Sequence, residues 1–418
     1  MPLLEIEKGF REAALRGGNI LFTQFLSEMK DIAPICPDCG AQMKGLGGRC
    51  KNIVSLLGEG EISRNYYVCK CGYHSLPKDE MLGIANTSFT PGVRRVVSQL
   101  AACDSFERSS ATLEEVCGIY VSSKDTERIA EAAGASIEAE NAAKIEEAFT
   151  LSEGIQPDMA PIPIMYIEYD GTGVPVMKRE VSGRKGKQED GTAKTREAKL
   201  GCIFTQTGLN DKNEPIRDKD STTYFGAIET SDTFGRRLYM EAVGRGIDSA
   251  VKVVVLGDGA KWIWNLAKEN FPDAIQIVDL YHAKEHLWEY IKAVISDADT
   301  QATVKAEWNK LLDDGKINEL TSEMKRYAAT DPEKEEDLER EVNYFKENAP
   351  RMKYADFKKQ GMFVGSGVIE AGCKNVIGKR LKQSGMHWSV RGANAIIALR
   401  CAVLSGKFKL TKPISRSA

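Results

Sequence analysis

The sequence predicts an α/β protein: a mixed β-sheet flanked by helices, carrying an all-helical insertion and preceded by a cysteine-rich segment and a helix-turn-helix region. Three observations predict it. From residue 162 to 280, short β-rich runs come first and then alternate with helical stretches, which is the pattern of a mixed sheet covered by helices. Two of those runs release an acid into a glycine, at Asp170-Gly171 and Asp258-Gly259. Near the N-terminus, Cys36-Pro-Asp-Cys39-Gly is followed by Cys69-Lys-Cys71-Gly, two metal-knuckle patterns.

In chain order, residues 1–30 carry Phe10, Leu15, Ile20, Leu21, Phe25 and Leu26 at helical spacing, so a lead-in helix is expected. Residues 31–75 are rich in Cys, Gly and short β-type stretches. The first cysteine pair is CxxC, and the glycine after it suits the tight turn around a metal. The second is CxC, one residue short, so Cys50 or His74 could substitute for Cys71. Cys36, Cys39, Cys69 and Cys71 are the candidate ligands of a structural zinc ion. In residues 106–134 a helix ends near Cys117-Gly118, a turn follows, and Ser122 or Ser123 caps a second helix. This is helix-turn-helix spacing, with Lys124, Thr126, Glu127 and Arg128 expected to face outward. Any pair of antiparallel helices reads similarly.

Pro157, Pro161 and Pro163 mark a domain boundary. The expected domains are 1–85 (helix and zinc-ribbon-like segment), 86–150 (helix-turn-helix) and 151–418. In the last, strands are expected at 162–169, 174–180 (a hairpin return), 199–207 and 223–229. A helix at 233–246, a strand at 251–257, a helix at 260–270 and a strand at 274–280 follow. Residues 283–350 read as helical throughout, an insertion. This is the order of a ribonuclease-H-like core, in which acids of the first and fourth strands lie side by side and a later helix returns a third. Glu370, in a helix that Ser366 would cap, is that third acid.

The composition is that of an ordinary soluble globular protein: 418 residues, 42% hydrophobic, 28% charged, net charge −3. No apolar run reaches the roughly 18–20 residues of a membrane span, and no signal-peptide pattern opens the chain, so a cytoplasmic location is expected. The ten cysteines then read as metal ligands or buried thiols. Near-neutral total charge hides basic runs at 178–199 and 351–382 and an acidic run at 331–341.

Each acid has a plain reading as a cap or turn former. Occurring together in this order, they suit divalent magnesium, which takes one or two carboxylates and fills its other sites with water and phosphate. Three converging carboxylates are costly without a cation. Asp279-Leu-Tyr-His282, followed by His286, places two histidines on one helix face. A zinc site there lacks an evident third ligand; the other reading is that Asp279 and His282 hold the junction to the insertion and orient DNA. Lys374, Lys379, Arg380 and Lys382 follow Glu370 as candidate phosphate contacts. His387-Trp388 reads as a base-stacking pair or as a packed Trp beside a satisfied His. Tyr169 beside Asp170 admits a minor reading as a nucleophile.

These segments resemble bacterial insertion-sequence transposases of the DDE type, the ISKra-type group, within the wider set similar to mutator and hAT transposases. The likeness rests on Tyr169-Asp-Gly-Thr-Gly-Val-Pro, Leu256-Gly-Asp-Gly-Ala-Lys-Trp-Ile-Trp, Asp279-Leu-Tyr-His282, Gly365-Ser-Gly-Val-Ile-Glu-Ala-Gly-Cys-Lys and Ser384-Gly-Met-His-Trp-Ser-Val-Arg-Gly-Ala-Asn-Ala. It implies Asp170, Asp258 and Glu370 as catalytic acids holding Mg2+ or Mn2+. It implies double-stranded DNA as partner (element ends and target), a homo-oligomer on DNA, and a nucleoid-associated location in a bacterium. The shortened second knuckle and the low pI depart from the pattern. A metal-dependent nuclease that does not join strands and a domesticated DNA-binding regulator are the competing readings.

Overall fold

The computed structural model describes residues 2–150, 160–186, 191–327 and 334–409. Pro157, Lys187 of the basic run and residues 331–333 of the acidic run lie outside the described residues. The chain divides into two compact units, one running to Glu138 together with the segment from Lys407, the other Ala139–Gly406.

In the first unit, helix α1 (Leu3–Glu28) lies on an antiparallel pair, β1 (Lys44–Ser55) and β2 (Gly58–Val68), extended by β3 (His74–Ser75). Leu26, Ile53, Ile62 and Ile84 form the core beneath it. A short α2 (Pro77–Met81) contributes Asp79, buried between Lys51 and Arg64. Then come α3 (Pro91–Cys103), α4 (Phe106–Cys117) and the start of α5 (Ser123–Thr150), which continues past Glu138. Gly118 closes α4 in the left-handed conformation at φ 69°, where a side chain would be strained. Ser122 accepts from the Asp125 N–H and opens α5. Val93, Val97, Leu113, Ile119, Val121 and Ile129 pack the three helices together. Thr126, expected to face outward, is fully buried, since it shares a helix face with the buried Ile129, Ala130 and Ala133.

The second unit is built on a five-stranded mixed sheet. Its strands are β4 (Ile162–Pro175), β5 (Thr195–Gln206), β8 (Thr223–Ala227), β9 (Ala250–Gly257) and β10 (Ile275–Val278). A small hairpin, β6 (Gly208–Leu209) and β7 (Pro215–Ile216), links β5 to β8. The order across the sheet is β10-β9-β4-β5-β8, with β4, β9 and β10 parallel and β5 antiparallel to both neighbours. Helices α6 (Ser231–Gly244) and α7 (Lys261–Asn270) cover one face, where Tyr169, Phe225, Phe234 and Trp262 pack ring against ring. Beyond β10 the chain is helical: α8 (Leu280–Val294), α9 (Ala298–Asp313), α10 (Ile317–Met324), α11 (Glu335–Asn348) and α12 (Tyr354–Lys359). It returns to the other face of the sheet through α13 (Gly367–Gly372), a π-helical turn over Cys373–Gly378, α14 (Lys379–Leu381) and α15 (Val390–Leu404).

One expectation fails here. Residues 162–169 and 174–180 are not two strands of a hairpin; β4 runs unbroken through Asp170-Gly171 to Pro175, and 178–180 is a 3-10 turn. The glycines are explained by neighbours rather than by a turn. A Cβ on Gly171 would lie 2.6 Å from the Glu197 side chain, and one on Gly173 would lie 3.0 Å from Thr195.

Candidate functional site

Alternation along β4 puts Tyr166, Glu168, Asp170 and Thr172 on one face of the sheet, and all four meet the returning segment. The Tyr166 hydroxyl accepts from the Phe363 N–H at 3.1 Å, and the Glu168 carboxylate accepts from the Ile369 N–H at 2.9 Å. The Cys373 thiol lies 3.7 Å from Asp170 Oδ2, and Lys382 Nζ donates to Thr172 Oγ1 at 2.6 Å. The opposite-facing Tyr169 is buried, its hydroxyl donating to the Ile263 carbonyl at 2.6 Å. That removes the nucleophile reading: the oxygen is locked in the core on the far side of the sheet.

Register fixes the first two acids. The parallel ladder ends at Glu168 and Leu256, and Asp170 and Asp258 each follow two residues past that last rung. β4 remains paired to β5 there, with Asp170 opposite Leu200, which holds the backbone rigid beneath the acid. Both acids are half-buried. Burial pushes the Asp170 carboxyl up, the Gly171 N–H opposes this, and the Asp258 carboxylate pushes it up further. Asp258 Oδ1 accepts from the Ala260 N–H at 2.9 Å, closing the turn in which Gly259 has φ 101°.

Glu370 is exposed on α13, and the Ser366 hydroxyl, expected to cap that helix, instead donates to its carboxylate at 3.3 Å. The π-helical turn begins three residues later, a departure from α-helix that is often found at functional sites. Sequence reasoning passed over Glu168. It is fully buried, and burial, partly offset by the Ile369 N–H, pushes it up to about 8, with Asp279 and Glu370 adding repulsion. Its position two residues before Asp170 in a period-2 run was the available signal. Asp279, also fully buried, caps α8 by accepting from the His282 N–H at 2.7 Å; its other oxygen accepts from the Ser366 N–H. It ties the insertion to the segment that carries Glu370.

The insertion itself reaches the acids. Tyr344 on α11 donates to the Asp258 carbonyl at 3.1 Å, and its ring stacks on His286 at 4.2 Å. His286 Nδ1 meets Glu341 at 2.7 Å and its Nε2 meets His282 Nε2 at 3.1 Å. Glu341 thus engages the far nitrogen of His286 rather than sharing a ligand position with both rings.

Of the expected DNA contacts, Lys124, Arg128, Lys374, Lys379, Lys382 and His387 are exposed. Lys124 and Arg128 pair along their own helix with Glu127 and Asp125, arrangements that exposed charges exchange readily. Arg380 is not on the surface as expected, and Trp388 takes the packed of its two readings. Both are buried; the guanidinium lies 5.1 Å from the Trp388 ring centroid, and the indole N–H donates to the Leu381 carbonyl at 3.0 Å. Trp388 is further fixed by backbone hydrogen bonds with Pro175 and Met177, so its ring is packing, not a free stacking surface.

The cysteine group is assembled in full. The sulfurs of Cys36, Cys39, Cys69 and Cys71 all lie within 4.8 Å of one another, an arrangement that could hold a metal such as zinc. Two glycine-closed turns make it: Gly40 donates to the Cys36 carbonyl and Gly72 to the Cys69 carbonyl, with φ of 70° and 97°. The short CxC spacing therefore suffices, and neither Cys50, which pairs with Glu61, nor His74, which packs on Tyr66, is called on. The backbone N–H of Cys71 and the Cys39 thiol pull Cys69 down to about 7, toward the thiolate a metal requires. Among the described residues, Asp170, Asp258 and Glu370 are not gathered into such a set.

Fold and site together define a mixed α/β protein with carboxylates along one edge of its central strands and a four-cysteine group able to take a metal. The chain belongs to the uncharacterised protein family UPF0236, whose sequence pattern matches residues 47–412. No curated protein matches the sequence. Among solved structures, the chain is similar to the Drosophila P element transposase in its strand transfer complex, at 8% identity over 78% of this chain and 81% of that one. The TM-score is 0.27. No helix among the described residues is long and apolar enough to cross a membrane.

Proposed function

We propose that this protein is a DDE-type DNA transposase, cutting element ends and joining their 3′-hydroxyls to target DNA on a ribonuclease-H-like core. The observation that carries the reading is that Asp170 on β4 and Asp258, just past the end of β9, follow the paired ends of adjacent parallel strands, with the helix of Glu370 docked over the same face. Numbered within the sheet, the strand order is 5-4-1-2-3 with only the second strand reversed, so the first and fourth strands are neighbours, in support of this reading.

Asp170, Asp258 and Glu370 would hold Mg2+ or Mn2+. Their donors are all oxygen, as these hard cations require, and the sulfur beside Asp170, that of Cys373, is kept a neutral thiol by burial. When bound, the ions would activate the attacking water or 3′-hydroxyl and neutralise charge on the transferring phosphoryl. The chain supplies the frame: β5 holds Asp170 in place, the Ala260 N–H fixes Asp258, and Ser366 steadies Glu370. Lys374, Lys379 and Lys382, on the same returning segment, would grip backbone phosphate without regard to sequence. Lys124 and Arg128 at the start of α5 would contribute to end recognition, and His282 and His387 would contact DNA beside the acids.

The test is cleavage and joining of DNA bearing the ends that flank the coding sequence, with magnesium or manganese, comparing wild type with Glu370→Gln. Joined 3′ ends from wild type alone are the expected result. Nicking without joining would favour a plain nuclease, and end binding without chemistry a regulator.

A further inference from the structure

We infer that the outer face of α1 is a docking surface for a second copy of this chain, paired antiparallel, helix against helix. The inference rests on burial and side-chain pattern and is independent of the catalytic reading.

Only the C-terminal half of α1 packs an apolar side into the chain: Leu26 is buried, and Phe22 packs beside it. Residues 2–14 are exposed on every side, held by a polar contact from Arg11 to the Val116 carbonyl. An isolated stretch of that length is marginal as a helix in water, because most helical stability in proteins comes from packing an apolar face. The side opposite Leu26 is itself apolar. Leu3 (71% exposed), Phe10 (77%), Leu21 (69%) and Phe25 (64%) follow one stripe, flanked by Ile6 and by Ile20 (60%). With roughly 150–250 Å² on an aromatic side chain and somewhat less on an aliphatic one, these six leave roughly 600–700 Å² in water. That exceeds the largest apolar patch of most monomers, roughly 300–600 Å². It approaches the roughly 800 Å² that each partner contributes to a stable interface.

Four of the six large residues meet apolar partners when one copy is reversed, while Leu3 meets the partner's Glu28 and Ile20 the partner's Arg11. Pairing positions whose numbers sum to 31 sets Phe10 against the partner's Leu21, Ile6 against the partner's Phe25, and Ala14 against the partner's Gly17. Large residues then flank a centre of small ones, where the two backbones can approach. A two-fold operation repeats every contact, as an isologous interface requires. The charges agree with this direction. Glu7 faces Gln24, and Glu28 faces the partner's first turn, where free N–H groups favour an anion. Parallel pairing would instead stack Glu7 on Glu7, Glu28 on Glu28 and Phe10 on Phe10.

The experiment is sedimentation of the full-length chain without DNA, for wild type, Phe10→Glu, Leu21→Lys and the double variant. Each site is exposed, so unchanged circular dichroism and metal content would show that the fold is kept. Interfaces of this size reach at least about micromolar affinity, so at about 50 µM the wild type is expected at twice the monomer mass. Each single variant is expected as monomer. The double variant is expected as dimer, because the carboxylate introduced in one copy then meets the ammonium introduced in the other. A monomeric wild type, or single variants that remain dimeric, would overturn the docking surface. A double variant as dissociated as the singles would overturn the antiparallel pairing.

Discussion

Asp279 is where a single side chain connects the insertion to the acid-bearing segment, and its removal has a calculable cost. In Asp279→Ala, helix α8 loses the cap on the His282 N–H, which costs about 0.5–2 kcal/mol. The Ser366 N–H, buried with its acceptor gone, costs a further 1–3 kcal/mol or so. Part of this is offset, because Asp279 and Glu168 repel one another inside the fold. The net expectation is a loss of about 2–4 kcal/mol. For a unit of this size that is about 5–10 °C in the melting temperature, read by calorimetry on the transition of the second unit. Asp279→Asn keeps an oxygen acceptor for one of the two N–H groups and should lose roughly half as much. DNA cleavage should fall further than stability in both, since Ser366 stands four residues before Glu370. An alanine variant melting within about 1 °C of wild type would refute the assignment, because no capped and buried carboxylate can be removed so cheaply.

Two further outcomes are expected. Purified protein should carry about one zinc per chain, and Cys71→Ser should lose it and lower the first unit's melting transition while leaving the second unchanged; elemental analysis finding no zinc in wild type would defeat this. Replacing Lys374, Lys379 and Lys382 together by Ala should lower the slope of log affinity for duplex DNA against log salt by about 3, equally for all sequences. An unchanged slope in a fluorescence titration would place the DNA elsewhere.

Much of the second unit was legible because local pattern and tertiary role agreed. The run through Val253, Val254, Val255 and Leu256 lies on a central strand, buried from Val254 onward, and the helices after it obeyed their periodicity. Where they disagreed, the sequence misled. Asp170-Gly171-Thr172-Gly173 has the composition of a turn, yet pairing with β5 keeps it extended, and nothing local announces a partner some 25 to 30 residues away. Arg380 and Trp388 have side chains usual at DNA surfaces, but each is the other's packing partner, and Trp388 is bridged to Val176 just past β4. Thr126 is polar yet lies on the buried face of α5 with Ile129, Ala130 and Ala133. The cysteine group was under-read for the opposite reason: spacing was weighed, while Gly72, whose left-handed backbone makes a short knuckle workable, was not.

The π-helical turn at Cys373–Gly378 has a consequence for how the returning segment addresses β4. Cys373 meets Asp170 and Lys382 meets Thr172, nine residues apart yet on one side. In an unbroken α-helix nine residues make about two and a half turns, which would aim them in opposite directions. The slacker winding of the π turn and the non-helical backbone of Lys382, at φ −112°, together turn the lysine toward the side of the thiol. Angular phase, rather than distance along the chain, is thus what couples the cations to the carboxylates. A deletion of one residue between 373 and 378 would leave Glu370 where it is and swing the lysines away from it, separating grip on a phosphate chain from the chemistry beside it.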